Sequence, residues 1–169
     1  MTQDILQEFE STTRAFLELL NSFDQQQINM VPYEGSWTAA QVGEHVFKSD
    51  NFILQSLNGP VKPTERKPDE QVAGLKHTFL DFNTKLKSPD VIVPAPGIHD
   101  KEALLPALKA NREQMARIIK TTDLTVTCFN PIFGEPTKLE LLTFVIVHTQ
   151  RHTHQLHKIA GKVMLTNHK

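Results

Sequence analysis

Apolar residues recur at steps of three and four along most of the chain, which is the period of an amphipathic α-helix. The runs predict four long helices, of which the first fades near positions 21–24 and the third begins at Asp100. A shorter helix is predicted over positions 69–86, between the second and third long helices, and a short β-prone stretch covers 125–129. The pattern therefore predicts an all-α fold, a four-helix bundle with an additional shorter helix, as one domain over 1–169.

Two of the helix starts carry a capping box, in which the N-cap hydroxyl and a side chain three residues later satisfy each other's backbone N–H groups. Thr38 and Gln41 have this spacing at the start of the second long helix. Thr137 and Glu140 have it at the start of the last helix. Gly161 is expected to follow the end of that helix, because glycine favours the position after a helical C-terminus.

Polar residues interrupt two of the apolar stripes. The second long helix, which is predicted to run from Thr38 to about Leu57, carries His45 and Ser49 on its apolar face. Arg112 lies on the apolar side of the helix that begins at Asp100. Polar groups on core-facing positions need partners, so His45 is a candidate member of a buried polar site.

Composition excludes several classes of function. The chain has 18 Lys and Arg against 19 Asp and Glu, a net charge of −1, which argues against nucleic acid as a partner. No apolar run approaches the ~20 residues that a membrane span needs. The start of the chain lacks the basic and apolar layout of a signal peptide. The one cysteine, Cys128, cannot form an internal disulfide, so we expect a cytoplasmic protein in which Cys128 is an ordinary, partly buried thiol.

Histidine is the unusual residue, with eight copies in the chain. His148 and His152 are one helical turn apart, which brings their rings about 40° apart around the axis and suits two ligands of one metal ion. The spacing matches the H-E-x-x-H protease motif, but Thr149 replaces the catalytic glutamate, so a protease of that class is excluded. No ligand role is predicted for the remaining histidines other than His45, which are His77, His99, His154, His157 and His168.

A third protein ligand is needed, because catalytic zinc usually has three. His45 is the best candidate, since it interrupts an apolar stripe. Two other interpretations remain open at this stage: His45 is a hydrogen-bonded core residue, or the pair His148 and His152 lies on a solvated helix face. Gln41 and Ser49, which flank His45 by one turn, and Gln155 beside His152 are predicted to line the pocket or orient the histidines.

Three segments together resemble the DinB/YfiT-like family of metalloenzymes. Residues 35–45 resemble that family's tryptophan-led helix start with its first histidine, and 130–140 resemble its loop into the fourth helix. Residues 148–155 resemble its H-x-x-R-H-x-x-Q signature, and the similar layout spans nearly the whole chain. The resemblance implies a four-helix bundle that holds a divalent metal through His45, His148 and His152. It also implies a homodimer.

Water bound to such an ion would have its pKa lowered towards neutrality and give a hydroxide nucleophile. Related proteins in that family include thiol-dependent transferases and isomerases, so the resemblance adds a thiol as the other nucleophile. The predicted function is a metal-dependent enzyme that activates a low-molecular-weight thiol or water for attack on a small-molecule electrophile, as an S-transferase or a hydrolase. Zinc or nickel is the expected metal, although imidazole ligands also suit iron and copper. The alternatives are a non-catalytic bundle that binds a metal or small ligand, and a structural domain in which the histidines are incidental.

Overall fold

The chain forms a four-helix bundle with one shorter helix, as predicted. The structure, a computed structural model, describes residues 1–165. Its helices are α1 (Thr2–Asn21), α2 (Ala39–Leu57), α3 (Val72–Leu80), α4 (Lys101–Thr121) and α5 (Lys138–Val163). Two 3₁₀ turns cover Gln27–Asn29 and Asp90–Ile92, and the strands β1 (Val61–Lys62) and β2 (Thr127–Cys128) pair antiparallel, with Val61 opposite Cys128 and Lys62 opposite Thr127.

The long helices pack mainly in the cyclic order α1, α4, α2, α5, so that α2 and α5 are neighbours. The short helix α3 packs against α5. Consecutive helices α1 and α2 make few contacts, because they lie at opposite corners of the bundle. This arrangement brings the helix that carries His45 against the helix that carries His148 and His152.

Two apolar clusters fill the bundle at different levels. The Phe9 cluster contains Phe9 of α1, Ile53 of α2, Met115 of α4 and Leu142 of α5. The Phe16 cluster contains Phe16, Leu20, Val42, Val46, Leu108, Leu156 and Ile159. On α1, α4 and α5, buried polar residues lie between the positions that belong to the two clusters. On α2, Ser49 and Asp50 lie between them, and His45 precedes these two beside Val46 of the Phe16 cluster. We call this level the polar layer, and its members are Thr12, His45, Ser49, Asp50, Arg112, His148, Thr149 and His152.

Two predicted helix ends are wrong. α3 ends at Leu80 rather than near position 86, because Asp81 is extended and its carboxylate accepts bonds from Asn83 N and Thr84 Oγ1. α5 continues through Gly161 to Val163, since Val163 is buried in the Phe16 cluster and the core contact carries the helix past the glycine. Within residues 1–165, every helix is too short or too polar to cross a membrane.

Candidate metal centre

The sequence of α2 directs His45 into the bundle. The predicted capping box starts this helix, with Thr38 Oγ1 accepting from Gln41 N at 3.1 Å and Gln41 Oε1 accepting from Thr38 N at 3.0 Å. Two turns later His45 lies between Val42 and Val46, which are both fully buried. Its ring is 2% exposed, so this imidazole is removed from water as the apolar stripe predicts.

His148 and His152 come from the middle of α5. The second capping box fixes the start of this helix, with Glu140 N donating to Thr137 Oγ1 at 3.1 Å and Thr137 N donating to Glu140 Oε2 at 2.8 Å. His148 and His152 are 6% and 8% exposed, which rules out the solvated-face interpretation of the pair.

The three imidazoles converge through their Nε2 atoms. His148 Nε2 lies 3.1 Å from His45 Nε2 and 3.1 Å from His152 Nε2. One ligand nitrogen from each residue lies within 4.8 Å of the others. The structure therefore brings together the three histidines that were predicted as ligands. They come from two helices, and His45 and His148 are 103 residues apart in the chain.

Outer hydrogen bonds set the tautomer of two of these rings. His45 Nδ1 is 2.8 Å from the carbonyl oxygen of Ile92, and His152 Nδ1 is 2.8 Å from Gln155 Oε1. Because both oxygens only accept, each Nδ1 must carry a proton, which leaves a lone pair on each neutral Nε2. One proton on His148 Nε2 can bridge to His45 or to His152 but not to both.

Burial keeps the three rings neutral. It lowers the pKa of His152 to about 3 and that of His148 well below the ordinary value, where the neighbouring histidines and Arg112 add to the effect. Burial also lowers the pKa of His45, although the hydrogen bond to Ile92 opposes it. Neutral imidazole is the form that binds metal ions, so the rings are in the ligating state at neutral pH.

Aromatic rings lie against two of the three imidazoles. Phe144 stacks on His148 with ring centroids 4.9 Å apart, and Phe79 of α3 meets the same ring edge-on at 6.2 Å. The Trp37 ring lies 5.0 Å from that of His45. These contacts give the site apolar walls, which lower the local polarity and hold the imidazoles in place.

Residues 81–99, which we call the strap, cover the site from α5 to α2. At the α5 end, Arg151 donates to the carbonyl oxygens of Asp81 and Thr84. At the α2 end, Lys48 Nζ donates to the carbonyl of Val93 at 2.9 Å, and Glu44 accepts from the backbone N–H of Ala95 at 2.6 Å. Between these ends the strap brings Ile92 and Ser88 to His45; Ser88 Oγ lies 3.3 Å from His45 Nδ1.

The residues predicted to support the histidines have different surroundings. Gln155 reaches His152, as described above. The side chain of Gln41 caps α2 and also donates to the strap at the carbonyl of Ala95, 3.3 Å away. Ser49 is buried in the polar layer one turn beyond His45. Their roles in a pocket stay predictions.

The other candidate residues lie elsewhere. His154 stacks on Phe82 of the strap at 4.3 Å, and His99 pairs with Glu44 at 2.8 Å. His157 is exposed on α5, and His168 lies outside the described residues. Burial raises the pKa of the Cys128 thiol, so Cys128 is protonated at neutral pH and is not an activated nucleophile.

Sequence reasoning missed two features of the site. One is the carbonyl of Ile92, which cannot be identified from the sequence because every residue carries a backbone carbonyl. The other is the buried ion pair of Asp50 and Arg112, in which two guanidinium nitrogens of Arg112 lie 2.7 and 3.0 Å from the carboxylate oxygens of Asp50. The place of Arg112 on an apolar stripe was a usable signal, but its partner was not identified.

The fold and the buried triad together define a four-helix-bundle protein with a three-histidine cluster in its polar layer. The sequence pattern of the DinB superfamily matches residues 8–156, and the chain therefore belongs to that superfamily. Among curated proteins, it is similar to the uncharacterized protein YuaE of Bacillus subtilis (strain 168). The identity is 26% over 152 residues, which covers 85% of this chain and 90% of YuaE.

Two solved structures share the fold. TT2238, described as a four-helix bundle protein, superposes with a TM-score of 0.60 at 21% identity and covers 94% of this chain and 99% of its own. YfiT from Bacillus subtilis, described as a probable metal-dependent hydrolase with an unusual four-helix bundle topology, has a TM-score of 0.58 at 18% identity. That match covers 95% of this chain and 86% of YfiT.

Proposed function

We propose that this protein is a divalent-metal-dependent enzyme in which His45, His148 and His152 hold the ion. The observation that carries the proposal is the convergence of the three Nε2 atoms, with two separations of 3.1 Å. Two neutral rings direct lone pairs at the third, and one proton cannot satisfy both contacts. A cation shared by the three lone pairs resolves this conflict.

The spacing of the nitrogens also fits an ion. Nitrogens held at 2.0–2.1 Å from a tetrahedral ion lie about 3.3 Å from each other, close to the observed separations. Gln155 and the carbonyl of Ile92 hold the outer nitrogens of two rings, which is the usual way in which proteins orient imidazole ligands. Zinc and nickel are the metals that we propose first, and iron and copper also suit an imidazole site.

The ion would supply a Lewis acid that lowers the pKa of water or of a thiol and so provides a nucleophile near neutral pH. The chain's own contribution is to hold three uncharged ligands, so that the charge of the ion is not neutralised and an anionic partner is favoured. The aromatic walls and the strap exclude bulk water, which strengthens that attraction. We propose a small-molecule electrophile as the substrate, because the imidazoles are nearly closed off from solvent.

Water and a low-molecular-weight thiol are the two candidate nucleophiles. The description of YfiT as a probable metal-dependent hydrolase supports the hydrolytic reaction. Transfer to a thiol remains the second form of the proposal, on the resemblance given above. We also propose that the protein is a cytoplasmic homodimer, which sedimentation analysis and fractionation of cells would test.

A second candidate function is a bundle that binds a metal without catalysis. The low exposure of all three imidazoles favours it, since a substrate must reach the ion past the strap. Activity assays decide between an enzyme and a non-catalytic metal-binding bundle. They compare wild type with His152→Ala in the turnover of hydrolysable esters and amides, and of electrophiles with added thiols. Turnover that is lost with the histidine supports the enzyme, and equal turnover in both contradicts it.

Elemental analysis of protein purified without added metal or an affinity tag tests the metal site itself. We expect about one divalent ion per chain in the wild type. The His45→Ala and His152→Ala variants should lose the ion. His157→Ala, which removes an exposed imidazole from α5 outside the triad, should retain it. A wild type without stoichiometric metal, or triad variants with as much metal as wild type, would contradict the proposal.

A further inference from the structure

A second group of buried polar residues shares the polar layer with the histidines. Arg112 of α4 and Asp50 of α2 form a two-point ion pair, with Nε donating to Oδ2 at 2.7 Å and Nη2 donating to Oδ1 at 3.0 Å. Arg112 Nη2 also donates to Thr149 Oγ1 of α5 at 2.9 Å, and Nη1 donates to Thr13 Oγ1 of α1 at 3.2 Å. One guanidinium therefore connects all four long helices.

We propose that these residues are a positioning unit that holds the histidines of α2 and α5 at the same level of the bundle and so sets the affinity of the triad for its ion. The inference rests on the proposed function in one respect, the binding of a metal ion by the triad. The unit comprises Asp50, Arg112 and Thr149, and Thr13 extends it to α1.

Stability alone gives no reason for this arrangement. Asp50 and Arg112 are almost fully buried, and burial raises the pKa of the carboxyl against the opposing effect of Arg112. Removing two charges from water is costly, so an apolar pair of similar volume is often equally stable or more stable. Buried polar groups of this kind are retained in some proteins because their directional bonds specify a register, and the position of this pair fits such a role.

The unit is attached close to the ligands on both helices. Asp50 follows His45 by five residues, about 7.5 Å along α2, and Thr149 directly follows His148 on α5. Arg112 reaches both from α4, so it fixes the relative height of the two helices beside the triad. Apolar contacts in the Phe9 and Phe16 clusters are not directional and tolerate small shifts, whereas a metal site needs its ligands within about 0.5 Å.

The hydroxyl of Thr149 is suited to this link. Its proton is donated to the carbonyl of Val145 at 2.6 Å, so the lone pairs that remain on Oγ1 are available to Arg112. Thr143 offers a matched comparison on the same helix. It is buried and makes the same bond to the carbonyl four residues earlier, Leu139 O at 2.9 Å, but it lies in the part of α5 that packs in the Phe9 cluster.

The test compares Thr149→Val with Thr143→Val. Both variants replace a buried hydroxyl by a methyl group and remove one bond to the i−4 carbonyl, but only Thr149→Val removes an acceptor of Arg112. We expect Thr149→Val to weaken Co²⁺ and Zn²⁺ binding about 10- to 100-fold in a chelator competition, the range seen when partners outside the ligand set are removed. It should also shift the visible absorption of the Co²⁺ complex. Thr143→Val should bind within about twofold of wild type, and Thr149→Ser should restore the wild-type affinity and spectrum.

A double variant, Asp50→Leu with Arg112→Met, separates positioning from stability. We expect urea unfolding to show equal or greater stability, together with weaker Co²⁺ binding. Equal affinity in Thr149→Val and Thr143→Val, or wild-type affinity in the stably folded double variant, would overturn the inference.

Histidine side-chain NMR of the metal-free protein provides a readout that does not depend on the ion. Thr149→Val should displace the imidazole signals of His45 and His148, whereas Thr143→Val should leave them in place. If the wild type takes up no ion, the proposed function fails, and these signals still decide whether the unit positions the histidines. Unchanged imidazole signals in Thr149→Val would overturn the positioning role.

Discussion

The two sides of the histidine triad are built differently. His148 and His152 belong to α5, and Gln155 of the same helix orients the second of them. His45 belongs to α2, and the strap supplies the carbonyl of Ile92 that orients it. On the α5 side, one helix with a fixed period provides both the ligands and their support. On the α2 side, the same result depends on a segment 47 residues away in the chain.

This difference indicates where the site can lose its shape. The α5 side is packed into the core, because Val145, Val147 and Leu156 around the pair are almost fully buried. On the α2 side, the strap residues Ile92 and Ser88 lie at His45 Nδ1 and set the orientation of that ring. Loosening the strap is therefore expected to disturb His45 more than His148 and His152.

The largest expected effect is loss of stability in acid, measured on metal-free protein. The buried imidazoles of His148 and His152 have lowered pKa values, so between pH 7 and pH 5 the unfolded chain takes up protons that the folded chain does not. Stability is then present at neutral pH and falls as the pH drops through about 6.5, by roughly 2 kcal/mol at pH 5 for His152, and His148 acts in the same direction. Urea unfolding at a series of pH values measures this slope.

Single variants compare the two sides. His148→Ala should reduce the slope more than His45→Ala, because the bond to Ile92 opposes the lowering of the pKa at His45. His157→Ala, at an exposed position of α5, is the matched control. A slope that changes equally in His148→Ala and His157→Ala would contradict this account of acid lability.

A smaller effect is expected from variants that loosen one orienting contact at a time. Arg151→Lys keeps the charge but loses the planar group that bonds to the carbonyls of Asp81 and Thr84. It should increase proteolytic cleavage within residues 81–99 and weaken metal binding about tenfold. Gln155→Leu should weaken metal binding by a similar factor and leave cleavage of the strap unchanged.

Limited proteolysis and metal titration of the same samples separate the two sides. Arg117→Lys on the exposed face of α4 controls for the exchange of arginine for lysine. If Arg151→Lys exposed the strap and left metal affinity at the wild-type value, the orientation of His45 would not depend on the strap. Faster cleavage in Gln155→Leu would show that the two sides are not independent.

The features that sequence analysis could predict are those with local signatures. Both capping boxes depend on residues three apart, and the histidine pair depends on residues four apart. The starts of α2 and α5 and the common face of His148 and His152 could therefore be predicted from local spacing. The interruption of an apolar stripe also identified His45. The four-helix bundle followed from the same periodicity, and it is confirmed.

The features that could not be predicted depend on tertiary contacts. α3 ends at Leu80 because the Asp81 carboxylate accepts from Asn83 N and the Asp81 carbonyl accepts from Arg151. The helical period of the apolar residues gives no sign of these bonds. Gly161 lies within α5 because the core contact of Val163 outweighs the preference of glycine for a helix end. Arg112 was visible as a polar residue on an apolar face, but Asp50 is 62 residues away, and no spacing rule connects such pairs.

The smallest loss of stability is expected from variants at the starts of α2 and α5, which also compare these two helices. Each begins at a threonine whose hydroxyl accepts the N3 amide, so Thr38→Ala should cost about 1 kcal/mol of unfolding free energy. Thr137→Ala should cost more, because Thr137 Oγ1 also donates to the carbonyl of Pro68 at 2.6 Å and this acceptor would lose its partner. Urea unfolding at pH 7 measures both, with Thr38→Ser and Thr137→Ser as controls that retain the hydroxyl. Equal losses in the two alanine variants would mean that the bond to Pro68 contributes nothing, and that the start of α5 is no more firmly held than the start of α2.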